Sequence, residues 1–301
     1  MLASTRYLRP HSLVEALEAL QAAEGQARPL AGGTDLLVAM KDGQIRADLL
    51  VDLWWLRPPL AFIERTESAI RIGALTTMSE LVGSSLIRSS VPVISEAAAQ
   101  VGAWQTRNLA TIGGNLAAAV PSCDLGPPVL VMDAKIICQS ARGHREIPVE
   151  SFFVGPKRCA LTSDELLTAI EVPVEASQNW GTCFLKLGRR KAVSLALVNV
   201  AVKVVLWEDQ KTVSKVRIAA GAVAPTPIRC RAAEQVIQNE GINERTLKAA
   251  AKVVMNEIAP ISDLRASAEY RRQVTGVLVE RAISIAYQRA QANRTGHGRG
   301  A

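Results

Sequence analysis

The chain has 301 residues, 49% of them hydrophobic and 21% charged, and a formal net charge of +7. That length supports two or three domains with cores of their own, in a composition ordinary for a globular protein. No apolar run nears the roughly 20 residues that span a bilayer. With 4% aromatic residues and dispersed Lys and Arg, the charge points away from nucleic acid and toward a phosphate-bearing cofactor or an acidic protein surface.

From the N-terminus, Met1–Pro10 lacks the apolar segment of a signal peptide, so a cytoplasmic protein is expected. Ser12 and Glu15 read as a capping box for a helix carrying Leu13, Leu17 and Leu20, which Gly25 ends. Arg28–Ala31 reads as a strand entering a first glycine pair, and Thr34 as the cap of a helix over Asp35–Lys41. Leu49–Leu53 is an apolar strand. From Leu60 a second βα arrangement is expected, with a strand at Ala69–Gly73, a capping box at Thr77–Glu80 and a helix at Pro92–Val101. The polar and small residues of Gly102–Asn108 then deliver a second glycine pair. Beyond it come Pro121-Ser122-Cys123-Asp124, the apolar segment Val129–Met132, and strands near Lys135–Gln139 and at Leu166–Val172.

Pro, Ser, Gln and Asn cluster over Pro173–Gly181 and mark a boundary. Past it, Gly181–Leu187, Leu195–Trp207 and Val213–Val223 are β-branched and alternating, as in an antiparallel sheet. Helices follow at Arg229–Asn239, Glu244–Ile258 and Ala268–Ala290, the last with Tyr270, Val274, Leu278, Ala282 and Ile285 on one stripe. Strands followed by helices predict a separate α+β domain.

The five cysteines are scattered, with no CxxC and no plant-type iron–sulfur spacing, and the three histidines make no metal-ligand pattern. No GxSxG or other nucleophile–base arrangement occurs. Any redox centre is therefore an organic cofactor or belongs to a partner. What remains are the stretches Ala31-Gly32-Gly33-Thr34-Asp35-Leu36 and Thr111-Ile112-Gly113-Gly114-Asn115. Glycine lets peptide N–H groups approach a ligand closely, and successive N–H groups form concave anion sites that suit a pyrophosphate. Two tight turns between strands would also account for them. Asp124 either caps the turn after Pro121 or accepts from ribose hydroxyls. Lys186 is either a solvated strand lysine or a positive charge beside phosphates or a reduced flavin.

The segments RPLAGGTDLL (Arg28–Leu37), RNLATIGGNLA (Arg107–Ala117), PSCD (Pro121–Asp124) and DELLTAIEVP (Asp164–Pro173) resemble the FAD-binding medium subunits of molybdenum hydroxylases. The group includes carbon monoxide dehydrogenase, 4-hydroxybenzoyl-CoA reductase and xanthine dehydrogenase, and the resemblance covers nearly the whole chain. It implies an α+β fold of the vanillyl-alcohol-oxidase type. Two subdomains, about 1–56 and 57–176, would hold FAD between them, and a C-terminal domain over 177–290 would cover the flavin end, leaving a disordered tail at 291–301. It also implies that Leu30, Ala31, Gly32, Gly33, Thr34, Asp35 and Leu36, with Ala110, Thr111, Gly113, Gly114 and Asn115, wrap the pyrophosphate and ribityl of FAD. Asp124 would contact FAD, and Leu161 and Lys186 would approach the flavin. The segment Ala192-Val193-Ser194-Leu195 lacks the tyrosine or tryptophan that some members place near the ring.

The function implied is electron transfer without a catalytic acid, base or nucleophile on this chain. A molybdopterin-containing large subunit would oxidise the substrate, and a small subunit with two [2Fe–2S] clusters would relay electrons to FAD and on to an external acceptor. The assembly implied is a dimer of heterotrimers. Two rivals stand beside it: a free-standing FAD-dependent oxidoreductase of the same superfold, and a flavin-free assembly module.

Overall fold

The computed structural model describes residues 5–175, 179–190, 192–209 and 211–293. Three parallel strands, in the order Arg6–Leu8, Leu49–Asp52, Ala27–Leu30, form the first sheet. The helix Leu13–Ala22 lies against it and buries Ala16, Leu17 and Leu20. Ser12 Oγ accepts from the Glu15 N–H at 3.1 Å as expected, but the Glu15 carboxylate takes the N–H of His11, at 2.7 Å, in place of that of Ser12. The chain leaves through the consecutive short helices Trp54–Leu56 and Arg57–Leu60.

The second sheet corrects an expectation. Its five strands, in the order Ile63–Arg65, Ala69–Gly73, Leu166–Pro173, Lys135–Ser140, Gly143–Pro148, are antiparallel throughout. The βα repeat does not form because the helices are bunched between Ala69–Gly73 and Lys135–Ser140, and the later strand Leu166–Pro173 inserts between those two. The apolar run at Val129–Met132 belongs to one of these helices, Gly126–Val131, every residue of which is buried. Pro127 and Pro128 stand in its first turn, where their missing N–H groups cost nothing.

The third sheet is antiparallel, in the order Trp180–Leu187, Val198–Leu206, Val213–Gly221, Ile228–Arg229. One face is covered by the helices Arg231–Glu240, Glu244–Glu257 and Ala268–Ala292. From the other face Phe184, Ala201 and Ala219 join the core of the antiparallel N-terminal sheet. Sandwiched in this way, Val198–Leu206 is buried at all of its positions, including the polar Asn199 and Lys203.

Of the stripe expected on the last helix, Ala282 is buried and Val274, Leu278 and Ile285 pack against the same core. Thr275, Val279, Ala282, Ile283, Ala286 and Ala290 are buried, whereas Tyr270 is 47% exposed. The helix packs against two strands on one side and Glu244–Glu257 on another, so its buried arc is wide and small residues serve where backbones come close. A Cβ on Gly181 would stand 2.2 Å from the Ala286 carbonyl oxygen. The boundary expected between 176 and 177 falls on 176–178, outside the described residues. Gln291 and Ala292 still belong to the helix, and the expected tail from 294 onward lies outside the described residues. Among the described residues no helix is long and apolar enough to cross a membrane.

Candidate functional site

The two glycine loops meet back to back. Leu30 ends its strand and packs with Leu36 and Leu37 beside Met40 and Leu50, while Ala31 packs against the Leu17–Val51 cluster. Gly32 then passes so close to the second loop that a Cβ there would lie 1.8 Å from the Leu109 carbonyl oxygen. Gly33 takes φ +70°, which favours glycine. Thr34 does not cap the helix that follows: Asp35 stands at the N-cap of Leu36–Lys41 and makes no side-chain cap bond. The consequence is chemical. Among the described residues, the successive N–H groups of Gly32, Gly33, Thr34, Asp35 and Leu36 have no acceptor.

The second loop is built differently. Ala110 is buried, and its carbonyl accepts from Met78 N–H at 2.9 Å. Ile112 donates to the Thr76 carbonyl at 3.0 Å and Gly113 to the Ala74 carbonyl at 2.9 Å. Thr111 caps the helix Ile112–Ala117, taking the Gly114 N–H on Oγ1 at 3.1 Å and the Asn115 N–H on its carbonyl at 3.0 Å. The N–H groups of Ala110, Ile112, Gly113, Gly114 and Asn115 are thus already engaged by the fold. Asn115 instead turns its side-chain oxygen to the Leu125 N–H, 3.3 Å away, and so fixes the segment that carries Asp124.

Asp124 and Lys186 come together across the junction of the N-terminal body and the C-terminal sheet. Lys186 Nζ lies 2.5 Å from Asp124 Oδ2 and donates to the Gln100 carbonyl at 3.0 Å. Neither side chain is more than a tenth exposed, so Lys186 is not a solvated strand lysine and Asp124 is not a surface turn cap. Asn199 Nδ2 donates to Asp124 Oδ1 at 3.0 Å and to the Cys123 carbonyl at 3.2 Å. Burial raises the Asp124 carboxyl above the ordinary carboxylate value, and Lys186 and Asn199 pull against that rise. Burial likewise pushes the Cys123 thiol up to about 12, and the carboxylates of Asp124 and Asp35 add to the effect. Asp35 of the first loop therefore shares its surroundings with Asp124.

Leu161 is not drawn into this cluster. It packs beside Ala160 on the main core, just past the hairpin of Phe153–Gly155 and Arg158–Cys159. The tip of that hairpin ties the two loop helices together from outside. Lys157 donates its N–H to the Ala119 carbonyl and its ammonium to Gln44 Oε1, both at 2.9 Å. Two clefts flank Lys186. One, of about 520 Å³, lies between its strand and the last helix, against Leu278, Arg281 and Ile285. The other, of about 480 Å³, is lined by Gln100, Gly188, Arg189, Arg190 and Ser194 and is strongly basic. Sequence reasoning missed these arginines and Asn199. The one visible signal for Asn199 was a polar residue inside a largely apolar strand.

Residues 3–175 match the family described as the FAD binding domain in molybdopterin dehydrogenase. The chain belongs to that family. Residues 184–286 match the CO dehydrogenase flavoprotein C-terminal domain. The xanthine dehydrogenase FAD-binding subunit of Escherichia coli O157:H7 is 35% identical over 280 residues, which cover 93% of this chain and 95% of that one. The glyceraldehyde dehydrogenase medium chain of Sulfolobus acidocaldarius is 33% identical, covering 92% and 96%. Among solved structures, carbon monoxide dehydrogenase from Hydrogenophaga pseudoflava superposes with a TM-score of 0.91 at 32% identity, covering 95% of this chain and 98% of that one. Quinoline 2-oxidoreductase from Pseudomonas putida 86 gives 0.88 at 27% identity, with the same coverage. The resemblance seen in the glycine stretches is thereby confirmed, together with the two-part α+β architecture.

The residues present fit the family's FAD. Five free N–H groups in succession answer a pyrophosphate, and the Gly32 backbone passes where no side chain fits. A buried ammonium answers the charge of a reduced flavin. Among the described residues no three His, Cys, Asp or Glu side chains group to hold a metal.

Proposed function

We propose that this chain holds FAD across its glycine-loop junction and serves as the electron-transfer flavoprotein subunit of a cytoplasmic molybdenum hydroxylase. A large subunit with molybdopterin would oxidise the substrate, and a small subunit with [2Fe–2S] clusters would feed electrons to this chain. Two such heterotrimers would pair, and an external acceptor would take the electrons away. Bound FAD supplies a carrier able to take electrons singly and release them in pairs.

The chain's own residues bind and orient. The N–H groups of Gly32 to Leu36 hold the pyrophosphate, with the short helix Leu36–Lys41 behind them. Thr111, Gly113, Gly114 and Asn115 keep the second loop rigid beneath it, and Asn115 steadies Asp124 through Leu125. Lys186 presents positive charge to the flavin end while Asp124 holds that ammonium in place. Leu161, which packs on the main core outside the Asp124–Lys186 cluster, keeps only the approach to the flavin that the family resemblance implies. The observation that carries the reading is the run of five unsatisfied N–H groups beside a glycine that admits no Cβ.

An absorption spectrum of the chain, purified alone and with its partners, tests it. Flavin bands at roughly 370 and 450 nm, with FAD released on denaturation, are expected from both preparations, and iron–sulfur absorption only from the second. Gly33→Trp should abolish the flavin bands, because a side chain at φ +70° is strained and would run into Leu37 and Leu30, displacing the loop that carries the free N–H groups. Stoichiometric FAD in that variant overturns the site.

A further inference from the structure

Asn199 is wholly buried near the start of the inner C-terminal strand Val198–Leu206, between Val198 and Val200. Its amide is only half satisfied. Nδ2 donates to Asp124 Oδ1 and to the Cys123 carbonyl, while Oδ1 is buried with no partner. Leaving such an acceptor dry costs about 1–3 kcal/mol. The oxygen is held against the backbone of Gly221, where a Cβ would stand 2.2 Å from it. An apolar side chain would suit this strand better, so stability alone does not account for an amide here. What the amide does accomplish is specific. It engages one oxygen of Asp124 and leaves the other, Oδ2, to Lys186 at 2.5 Å.

We propose that Asn199 is a positioning residue for Lys186: by engaging Asp124 Oδ1 it aims the second carboxylate oxygen at the ammonium and so sets the charge that the flavin meets. The inference rests on the FAD site proposed above. The titratable groups gathered here are Asp124 itself, Lys186 from the neighbouring strand, the Cys123 thiol, and Asp35 beyond that thiol. An amide donor favours the ionised carboxylate. Removing it leaves Asp124 protonated at higher pH, and the unneutralised ammonium then favours the reduced, anionic flavin.

The test compares the FAD-loaded chain with Asn199→Ala, Lys186→Met and the double variant, following the flavin midpoint potential against pH. Asn199→Ala should make the potential more positive and move its pH break upward, and both changes should vanish in the Lys186→Met background. Gly221→Ala, which pushes the amide away from the far side, should reproduce them without deleting Asn199. An equal shift with and without Lys186, or no shift in either Asn199→Ala or Gly221→Ala, overturns the proposal. Carbon-13 NMR of the Asp124 carboxyl gives a second readout that needs no flavin. Its titration should move to higher pH in Asn199→Ala, and an unmoved titration overturns the proposal equally. If the parent chain takes up no FAD while this titration still moves, the FAD site fails and the positioning role stands.

Discussion

The two glycine loops look alike as sequence and do opposite things as structure. In Gly32–Leu36 the backbone donors are left free, whereas in Ile112–Asn115 they are bound to Ala74, Thr76 and Thr111. One loop is open toward a ligand, and the other is a bracket that holds the first in place through the contact of Gly32 with Leu109. Glycine serves both ends, in the first by turning the chain and leaving room, in the second by allowing backbones to touch. A glycine pair therefore signals close approach, and the fate of the neighbouring N–H groups decides what is approached.

The most damaging test of this division is Gly32→Ala, which acts on both loops at once. Its Cβ would meet a backbone oxygen at 1.8 Å, so the loops must part. The expected loss is about 3 kcal/mol or more of stability, with no FAD retained, read by urea unfolding and flavin content. Lys186→Met comes next. Stranding Asp124 without its cation should cost about 3 kcal/mol near neutral pH.

The sign of the pH dependence follows from Asp124. Burial already raises its folded value above the unfolded one, and losing Lys186 raises it further. The folded state then holds a proton that the unfolded state releases, so stability falls as pH rises from the unfolded value through the folded one. Unfolding the variant at pH 5 and pH 8 should show the smaller deficit at pH 5. An equal deficit at both values would mean that Asp124 does not carry the charge.

Gly113→Ala separates the loops more finely. Its Cβ would lie 2.7 Å from Ala74, for an expected loss of about 2 kcal/mol, while the folded fraction keeps its FAD affinity. A large fall in affinity without a fall in stability would reverse the roles assigned to the loops. The smallest effect belongs to Thr111→Val, which removes the cap on Ile112–Ala117 and should cost about 1 kcal/mol. Calorimetric melting measures it, and FAD content should stay stoichiometric.

The two glycine stretches stood out in the sequence as points of close backbone approach, whereas Asp124 and Lys186 were open to bland readings and were singled out by the family resemblance. The difference between the loops was not legible. The acceptors that occupy the second loop sit at Ala74 and Thr76, and nothing local to the glycines announces them. Thr34 had the right chemistry to cap a helix, yet Asp35 took the position without using its side chain. The strand and helix order of the C-terminal sheet was legible, since its alternation and length are local properties. The face of its last helix was legible in part: Val274, Leu278, Ala282 and Ile285 do reach the core, and the extra width of the buried arc is set by what packs on either side. Asn199 shows the limit most clearly: as a letter it is one polar residue in a largely apolar strand, and its use depends on a carboxylate 75 positions away.

The seam between the N-terminal body and the C-terminal sheet also carries Asp133 and Glu150, set against Lys215, Arg217, Arg229 and Arg231. Both carboxylates are more than a third exposed, so dissolved ions reach them, while both apolar cores are out of reach. Concentrated salt should therefore slacken this fastening before it melts any helix or strand. Storage buffer becomes a control knob: a preparation kept in strong brine would bleach while its circular dichroism stays intact, and dialysis with added FAD would restore the yellow colour.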